Sequence, residues 1–218
     1  MSASGHSATT PHTAGRIIHW ARLYDVGVNL LSFGWASALR RRAVELAGVA
    51  PGERILDVGC GPGRLVIQAG AAVGPTGEAR GIDPSPEMIA RARENAARAE
   101  SAARFEVAAI EALPYPDGHF DAVLSTMMLH HLPDALKRQG FAEVLRVLRP
   151  GGRLVAIDFA ASAGQGLDHI LSILRLKRGW AHAERLREML GEAGFAGVET
   201  GPAGPRGLAF VRGRKPAS

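Results

Sequence analysis

The sequence predicts an α/β domain with a doubly wound, mostly parallel seven-stranded sheet, an antiparallel last strand and helices before the first strand. Three observations predict it. Short apolar segments alternate with amphipathic helical ones along most of the 218 residues. A glycine-rich turn follows the first apolar segment. The last two apolar segments are joined by a link too short for a crossover helix, so they are expected to pair antiparallel.

The composition fits one soluble globular domain without a disulfide or metal framework. Hydrophobic residues make up 46% of the chain, yet no apolar run approaches the roughly 18 residues of a membrane-spanning helix. The single cysteine, Cys60, excludes an internal disulfide and a cysteine-based metal cluster. His6, His12 and His19 show no metal-ligand spacing with carboxylates, so we expect no metal. Because no export signal is recognisable, we expect a cytoplasmic protein.

The chain is basic, with a formal charge of +5 and a pI near 10.1. Its basic clusters, 40–42, 175–178 and 212–215, are not interleaved with aromatic residues as a nucleic-acid platform would be. We therefore interpret them as solvated helix faces and expect no nucleic-acid partner. Attraction to anionic lipid stays open as an alternative.

The first part of the chain divides into a tail and a helical segment. Residues 1–14 are rich in Ser, Thr, His and Ala and lack an apolar core segment, which predicts a disordered tail. Residues 15–218 are then a single domain. From Arg16 to Ala47 apolar residues recur at three- and four-residue spacing, which predicts two helices before the sheet.

The next hundred residues predict alternating strands and helices. Arg54–Val58 is a short apolar strand that runs into a glycine-rich loop, and the helix Leu65–Val73 ends at Gly74-Pro75. A second strand, Glu78–Asp83, precedes Ser85-Pro86-Glu87, which opens a helix through Glu100 because proline suits the first helical turn. Phe105–Ala108 and Phe120–Ser125 are predicted as the third and fourth strands.

The last third completes the sheet. Asp134–Leu148 is a helix that we expect Pro150-Gly151-Gly152 to stop, and Arg153–Phe159 is the fifth strand. The remaining predicted elements are the helices 166–178 and 181–193 and the strands 196–200 and 208–212, with the short link 201–207 between those strands.

The glycine-rich loop Gly59–Gly63 and Asp83 point to a nucleoside cofactor. In an open α/β sheet, ligands bind beyond the carboxyl ends of the strands, and an acid after the second strand can accept both ribose hydroxyls. The glycines fall as G-x-G-x-G, with Arg64 where the G-x-G-x-x-G dinucleotide pattern places its third glycine. Asp57 lies directly before the loop, where a carboxylate suits an ammonium group better than a pyrophosphate. These residues favour S-adenosylmethionine over NAD.

The chain resembles class I methyltransferases that use S-adenosylmethionine, specifically the ubiquinone/menaquinone-biosynthesis type of C-methyltransferase. The resemblance extends over nearly the whole chain from about residue 16. It is carried by segments 55–63 (ILDVGCGPG), 81–90 (GIDPSPEMIA), 111–123 (EALPYPDGHFDAV) and 143–159 (EVLRVLRPGGRLVAIDF). It implies that residues 15–50 form a helical lid and that 160–182 form a substrate cap.

The resemblance also implies a set of cofactor-binding residues. They comprise the methionine-side residues Gly59, Gly61 and Pro62, the ribose ligand Asp83, the adenine-side residues Pro84, Met88, Ala109 and Ile110, Thr126 beyond the fourth strand, and the aromatic lid Tyr24. One position departs from the pattern. Ala109 stands where the family usually has Asp or Asn to bind the exocyclic amine of adenine, unless Glu111 takes over that role.

Three residues are candidates for chemistry on the methyl acceptor. His130 and His131 follow the fourth strand, and Asp158 lies near the end of the fifth, so all three are expected at the cofactor edge of the sheet. A histidine beside a carboxylate is a suitable general base near neutral pH. The alternative is that one histidine caps the next helix and the other packs.

Three functions stay open. The leading one is methyl transfer to an oxygen, nitrogen or activated carbon atom of a small molecule. A phospholipid or amine N-methyltransferase would use the amphipathic 166–178 segment for peripheral membrane contact. A non-catalytic module would bind S-adenosylmethionine without transferring its methyl group. The oligomeric state is left open.

Overall fold

The computed structural model describes residues 35–160, 180–204 and 207–217. The predictions for the tail, for the first N-terminal helix with Tyr24, and for the 166–178 helix lie outside these ranges. The described elements, in chain order, are α1 Trp35–Ala47, β1 Arg54–Val58, α2 Arg64–Val73, β2 Glu78–Asp83, α3 Pro86–Arg98, β3 Arg104–Val107, β4 Phe120–Thr126, α4 Asp134–Val147, β5 Leu148–Phe159, α5 Ala181–Glu192, β6 Ala196–Gly204 and β7 Leu208–Arg214.

The strands form one seven-stranded sheet in the order β3-β2-β1-β4-β5-β7-β6. The β1–β2, β2–β3, β1–β4 and β4–β5 pairs are parallel, whereas β7 runs antiparallel to both β5 and β6. The fold prediction is therefore confirmed, including the antiparallel last strand. The strand order reverses between β1 and β4, and this is the crevice where open α/β sheets bind their ligands.

Helices cover both faces of the sheet. On one face, α1 and α2 pack against β1, β4 and β5 through an apolar cluster that includes Leu39, Leu65 and Ile157. On the other, α4 and α5 pack through Phe141, Leu186 and their neighbours. The predicted start of α3 is confirmed, because Ser85 caps it by accepting the backbone N–H of Met88 on its hydroxyl.

The predicted end of the helix near Leu148 is confirmed, but the predicted start of the fifth strand after Pro150-Gly151-Gly152 was wrong. Helix α4 ends at Val147, and β5 begins at the next residue and runs through all three. Gly151 takes a left-handed φ of 74°, and its N–H and the Gly152 carbonyl bond to Lys215 beyond β7. Antiparallel pairing with the segment after β7 therefore extends the strand through a sequence that would stop a helix. Pro150 is tolerated there because it has no N–H that would need a partner.

Candidate functional site

The glycine-rich loop connects β1 to α2 and is hydrogen-bonded to the carboxyl end of β2. The backbone N–H groups of Gly59 and Cys60 both donate to the Ile82 carbonyl at 2.9 Å. Gly59 and Gly61 have left-handed φ values of 73° and 50°, which glycine adopts without steric cost. The loop is thereby held against the second strand.

The two glycines lack a side chain for different reasons. A Cβ at Gly59 would overlap Met128, reaching its Cβ at 2.9 Å, because Met128 comes across from the end of β4. A Cβ at Gly61 would meet nothing within 4 Å. Close approach of a ligand to the backbone is therefore the reason that fits Gly61, whereas packing explains Gly59. The sequence pattern alone did not distinguish these reasons.

Asp83 lies beside Gly61 at the end of β2. One carboxylate oxygen accepts the Gly61 N–H at 3.0 Å and the other accepts the Ser85 N–H at 2.9 Å. Burial raises the pKa of Asp83, and these two hydrogen bonds act against that rise. Each oxygen keeps a second lone pair, so the carboxylate can still accept the hydroxyls of a ribose.

Asp57 sits on β1 directly below the loop and is 2% exposed. Its Oδ1 atom is buried and has no hydrogen-bond partner among the described residues. Burial, reinforced by the charge of Asp83, raises the pKa of Asp57 to about 8. A buried acceptor without a partner fits a ligand that brings its own cation, such as the ammonium group of S-adenosylmethionine.

The predicted adenine-side residues follow β2 and β3. Pro84 comes next to Asp83, and Met88 is buried in the first turn of α3. Ala109 and Ile110 are each 6% exposed, and Ile110 packs closely against Gly140 of α4. This places a second apolar stretch beside Asp83, since the Ala108 N–H bonds to the carbonyl of Asp83.

Glu111 adds a polar atom next to that apolar stretch. Its Oε2 is buried and has no hydrogen-bond partner among the described residues, while its carbonyl accepts the Gln139 side chain. A buried carboxylate oxygen needs a donor, and the exocyclic amine of adenine is one. Glu111 therefore remains the candidate for the role that Ala109 cannot fill.

The catalytic candidates meet at the ends of β4 and β5. His130 Nδ1 lies 2.7 Å from Asp158 Oδ1, and the His130 backbone N–H bonds to Asp158 Oδ2 at 3.0 Å. The Phe159 N–H also donates to Asp158. Burial acts to raise the pKa of Asp158, but His130 and the Phe159 N–H outweigh it and hold that pKa below its ordinary value. Asp158 is thus an ionised group that orients His130.

His131 lies next to this pair and does not cap α4. The His130 and His131 ring centroids are 3.9 Å apart, and the His131 N–H bonds to the Met128 carbonyl. The capping position of α4 is Pro133, which makes no side-chain cap. Thr126 is the last residue of β4 and pairs with Ile157 of β5, and the short 3-10 turn that holds the two histidines follows it.

His182 and Lys137 were not predicted from the sequence as neighbours of the site. His182, in the first turn of α5, has a buried Nε2 with no hydrogen-bond partner among the described residues. Burial lowers the pKa of His182; the negative charge of Asp158 acts to raise this pKa, and the positive charge of Lys137 acts to lower it. Lys137 of α4 is buried and bonds to Asp134 at 3.0 Å. No sequence signal separates these residues from ordinary helix-surface ones, because the packing of α4 on α5 brings them together.

Met127 carries the other unpredicted feature. It adopts a φ of 56°, rare for a residue with a side chain, and its N–H bonds to the Ile157 carbonyl at 2.8 Å. This bend lies between Thr126 and Met128, so it lets β4 end while Met128 turns onto Gly59. Backbone strain of this kind is common at functional sites.

The loop, Asp83 and the His130–Asp158 pair lie at the carboxyl ends of the adjacent strands β2, β1, β4 and β5, at one edge of the sheet. The part of the chain with described coordinates holds no group of three His, Cys, Asp or Glu residues arranged to bind a metal. In the same part, no helix is both long enough and apolar enough to span a bilayer.

Comparison with known proteins identifies this arrangement. The family model described as "Methyltransferase domain" matches residues 55–152, from β1 through the start of β5. Residues 55–152 therefore carry a methyltransferase domain. The predicted resemblance is thereby confirmed. Among similar structures, a methyltransferase of this cofactor class from Aquifex aeolicus superposes with a TM-score of 0.63 at 20% identity, covering 81% of this chain and 89% of that one.

Two curated relatives differ in the acceptor that their names print. An arsenite methyltransferase of Halobacterium salinarum is 37% identical over 160 residues, which is 72% of this chain and 40% of the relative. A ubiquinone/menaquinone biosynthesis C-methyltransferase of Geobacter sulfurreducens is 35% identical over 156 residues, 71% of this chain and 60% of the relative. The chain thus spans between two fifths and three fifths of their lengths.

Proposed function

We propose that this methyltransferase domain transfers a methyl group from S-adenosylmethionine to an oxygen, nitrogen or activated carbon atom of a small molecule. The observation that carries the proposal is the common edge of the sheet shared by two sets of residues. Gly61 and Asp83, at the ends of β1 and β2, form a nucleoside-binding corner. His130 and Asp158, at the ends of β4 and β5, form a hydrogen-bonded histidine–carboxylate pair. Neither set alone would support group transfer.

The residues of β1 and β2 hold the cofactor. When bound, S-adenosylmethionine supplies an electrophilic methyl group. Gly61 leaves its backbone open to the methionine end, Asp57 offers a carboxylate to the ammonium group, and Asp83 accepts the ribose hydroxyls. Met88, Ile110 and Glu111 would line the adenine end. Positioning of donor and acceptor supplies much of the acceleration in a displacement reaction, and the residues at the ends of β4 and β5 would hold the acceptor.

His130 acts as the general base for an acceptor that carries a proton. Asp158 binds Nδ1, which fixes the tautomer whose Nε2 holds the lone pair. The low pKa of Asp158 makes that carboxylate a poor base, so its role is to orient the imidazole. His131 packs on His130 and helps to hold the ring.

At this edge of the sheet, Cys60 is the described thiol that could meet trivalent arsenic, the acceptor that one relative's name prints. Arsenic(III) is a soft centre that thiolates bind best. The chain has a single cysteine, Cys60, which is 8% exposed, and burial raises the pKa of its thiol. A carbon, nitrogen or oxygen nucleophile fits the His130–Asp158 pair better.

The test combines binding with product detection. Full-length protein is incubated with methyl-labelled S-adenosylmethionine and a small-molecule extract, and labelled products are identified by mass spectrometry. A labelled polar product supports the proposal, and its loss in His130→Ala assigns the base. Label recovered only in a lipid fraction favours the phospholipid alternative. Thermal stabilisation by the cofactor without any labelled product indicates a non-catalytic binding module.

A further inference from the structure

A groove of about 490 Å³ lies between the helices α1, α2 and α3. Its floor is the outer side of α2, where Arg64, Gln68 and Ala71 recur at a spacing of three to four residues. The volume falls within the range of about 300–1,000 Å³ that is usual for small-molecule sites. The described lining of the groove includes none of the residues assigned above to the cofactor or to catalysis, so the groove is a separate feature of the molecule.

Three arginines line this groove, and no acidic residue is among its described lining. Arg40 comes from α1, Arg64 from the start of α2 and Arg98 from the end of α3. The first basic cluster of the sequence is therefore divided, because Arg40 is half-buried at the groove whereas Arg41 and Arg42 are exposed. Arginines that line one concavity from three different helices concentrate positive charge there, which attracts an anion.

Neighbouring side chains hold Arg98 in place at the groove. Its Nη1 donates to Asn95 Oδ1 at 3.0 Å, and its Nη2 donates to Glu94 Oε2 at 3.1 Å. Asn95 is buried, and its Nδ2 donates to the Pro62 carbonyl at 2.9 Å, so it is anchored on the loop before α2. A guanidinium group has five N–H donors, so these two bonds leave donors for a ligand. A guanidinium group that is already oriented loses less entropy when it binds.

We propose that this groove binds a phosphate monoester group. Glu94 offsets one of the three arginine charges, which leaves two positive charges at the groove. A phosphate monoester carries about two negative charges at pH 7 and accepts bidentate hydrogen bonds from guanidinium groups, so it matches this charge and chemistry. Gln68 adds an amide donor, and Ile67 and Ala71 offer apolar contact to the rest of the ligand. The proposal does not depend on the proposed methyl transfer.

The experiment uses full-length protein and two phosphate monoesters, at constant ionic strength set with chloride. Glycerol 3-phosphate is the soluble probe, titrated by calorimetry. Phosphatidic acid vesicles are the lipid probe, tested by co-sedimentation against phosphatidylglycerol vesicles, which carry a phosphodiester.

The variants locate the site. Arg40→Gln removes a charge from the groove and should weaken binding at least about tenfold, because a charge-assisted hydrogen bond to the phosphate is lost. The matched control Arg42→Gln removes the same charge from the exposed side of the same helix, and should change affinity less than about twofold, because solvent and salt screen an exposed charge. Gln68→Glu adds a negative charge to the floor of the groove and should weaken binding about tenfold as well.

Loss of binding in Arg40→Gln and Gln68→Glu, but not in Arg42→Gln, would support the site. Saturable binding of glycerol 3-phosphate without vesicle binding then assigns a soluble ligand. Binding of phosphatidic acid vesicles that Arg40→Gln abolishes, without binding of phosphatidylglycerol vesicles, assigns a lipid headgroup. Failure of both probes to bind the wild type would overturn the proposal, as would equal losses in Arg40→Gln and Arg42→Gln. Thermal unfolding checks each variant, and if either Arg40→Gln or Gln68→Glu fails to fold, the other still decides.

Discussion

Alanine substitutions at Gly59 and Gly61 separate a packing role from a ligand-approach role within one loop. Both glycines have positive φ, so each alanine costs about 1–2 kcal/mol of unfolding free energy for the left-handed backbone. At Gly59 the new Cβ also overlaps Met128, which adds about 1–3 kcal/mol for overpacking. We therefore expect Gly59→Ala to lose about 2–5 kcal/mol and Gly61→Ala only about 1–2 kcal/mol.

Urea denaturation measures these losses, and a double-mutant cycle with Met128→Ala tests their cause. Removing the Met128 side chain should recover the overpacking part in Gly59→Ala, a coupling of about 1–3 kcal/mol, and should not couple to Gly61→Ala. Binding of S-adenosylhomocysteine should show the reverse order. Gly61→Ala should lose at least about tenfold in affinity, because its methyl group would occupy the open space through which the ligand approaches the backbone. Equal destabilisation by the two alanines, or no coupling to Met128, would refute the packing argument.

Four further predictions test the rest of the site. Asp83→Ala should weaken cofactor binding by about 1.5–3 kcal/mol in calorimetry, since the ribose hydroxyls lose a charged acceptor; unchanged affinity would remove the ribose assignment. Glu111→Ala should weaken binding and Ala109→Asp should restore it in the double variant, whereas no effect of either change would mean that this stretch does not line the adenine pocket. His130→Ala should lower single-turnover methyl transfer about 10²–10⁴-fold with cofactor affinity intact, and unchanged turnover would rule the base out. Finally, burial raises the pKa of Asp57 from 3.8 in the unfolded chain to about 8 in the folded protein, so between pH 5 and 7 the folded state holds a proton that the unfolded state has lost. The ligand-free protein should therefore lose about 1.4 kcal/mol of stability, relative to Asp57→Asn, for each unit by which the pH rises. Chemical denaturation of both proteins across that range checks the slope, and identical slopes would contradict the assignment.

The local features of this fold were predictable because each depends on neighbours along the chain. Alternating apolar segments indicate strands and helices, Ser85-Pro86 caps a helix through a contact three residues away, and the spacing of the loop glycines indicates left-handed turns. The short link before β7 was enough to predict antiparallel pairing. The position of Asp83, His130 and Asp158 at one edge followed from the rule that parallel strands end on the same side.

The tertiary structure alone decided which of these residues touch. Met128 fills the space above Gly59 because β4 lies beside β1, although the two residues are far apart in the sequence. The same strand order leaves Oδ1 of Asp57 without a hydrogen-bond partner among the described residues, and the packing of α5 on α4 brings His182 near Asp158. Periodicity and spacing report whether a side chain is buried, but burial does not specify the group that it meets. That partner is set by strand order and helix packing over long sequence separations, and it determines whether a buried charge is paired, strained or ready for a ligand.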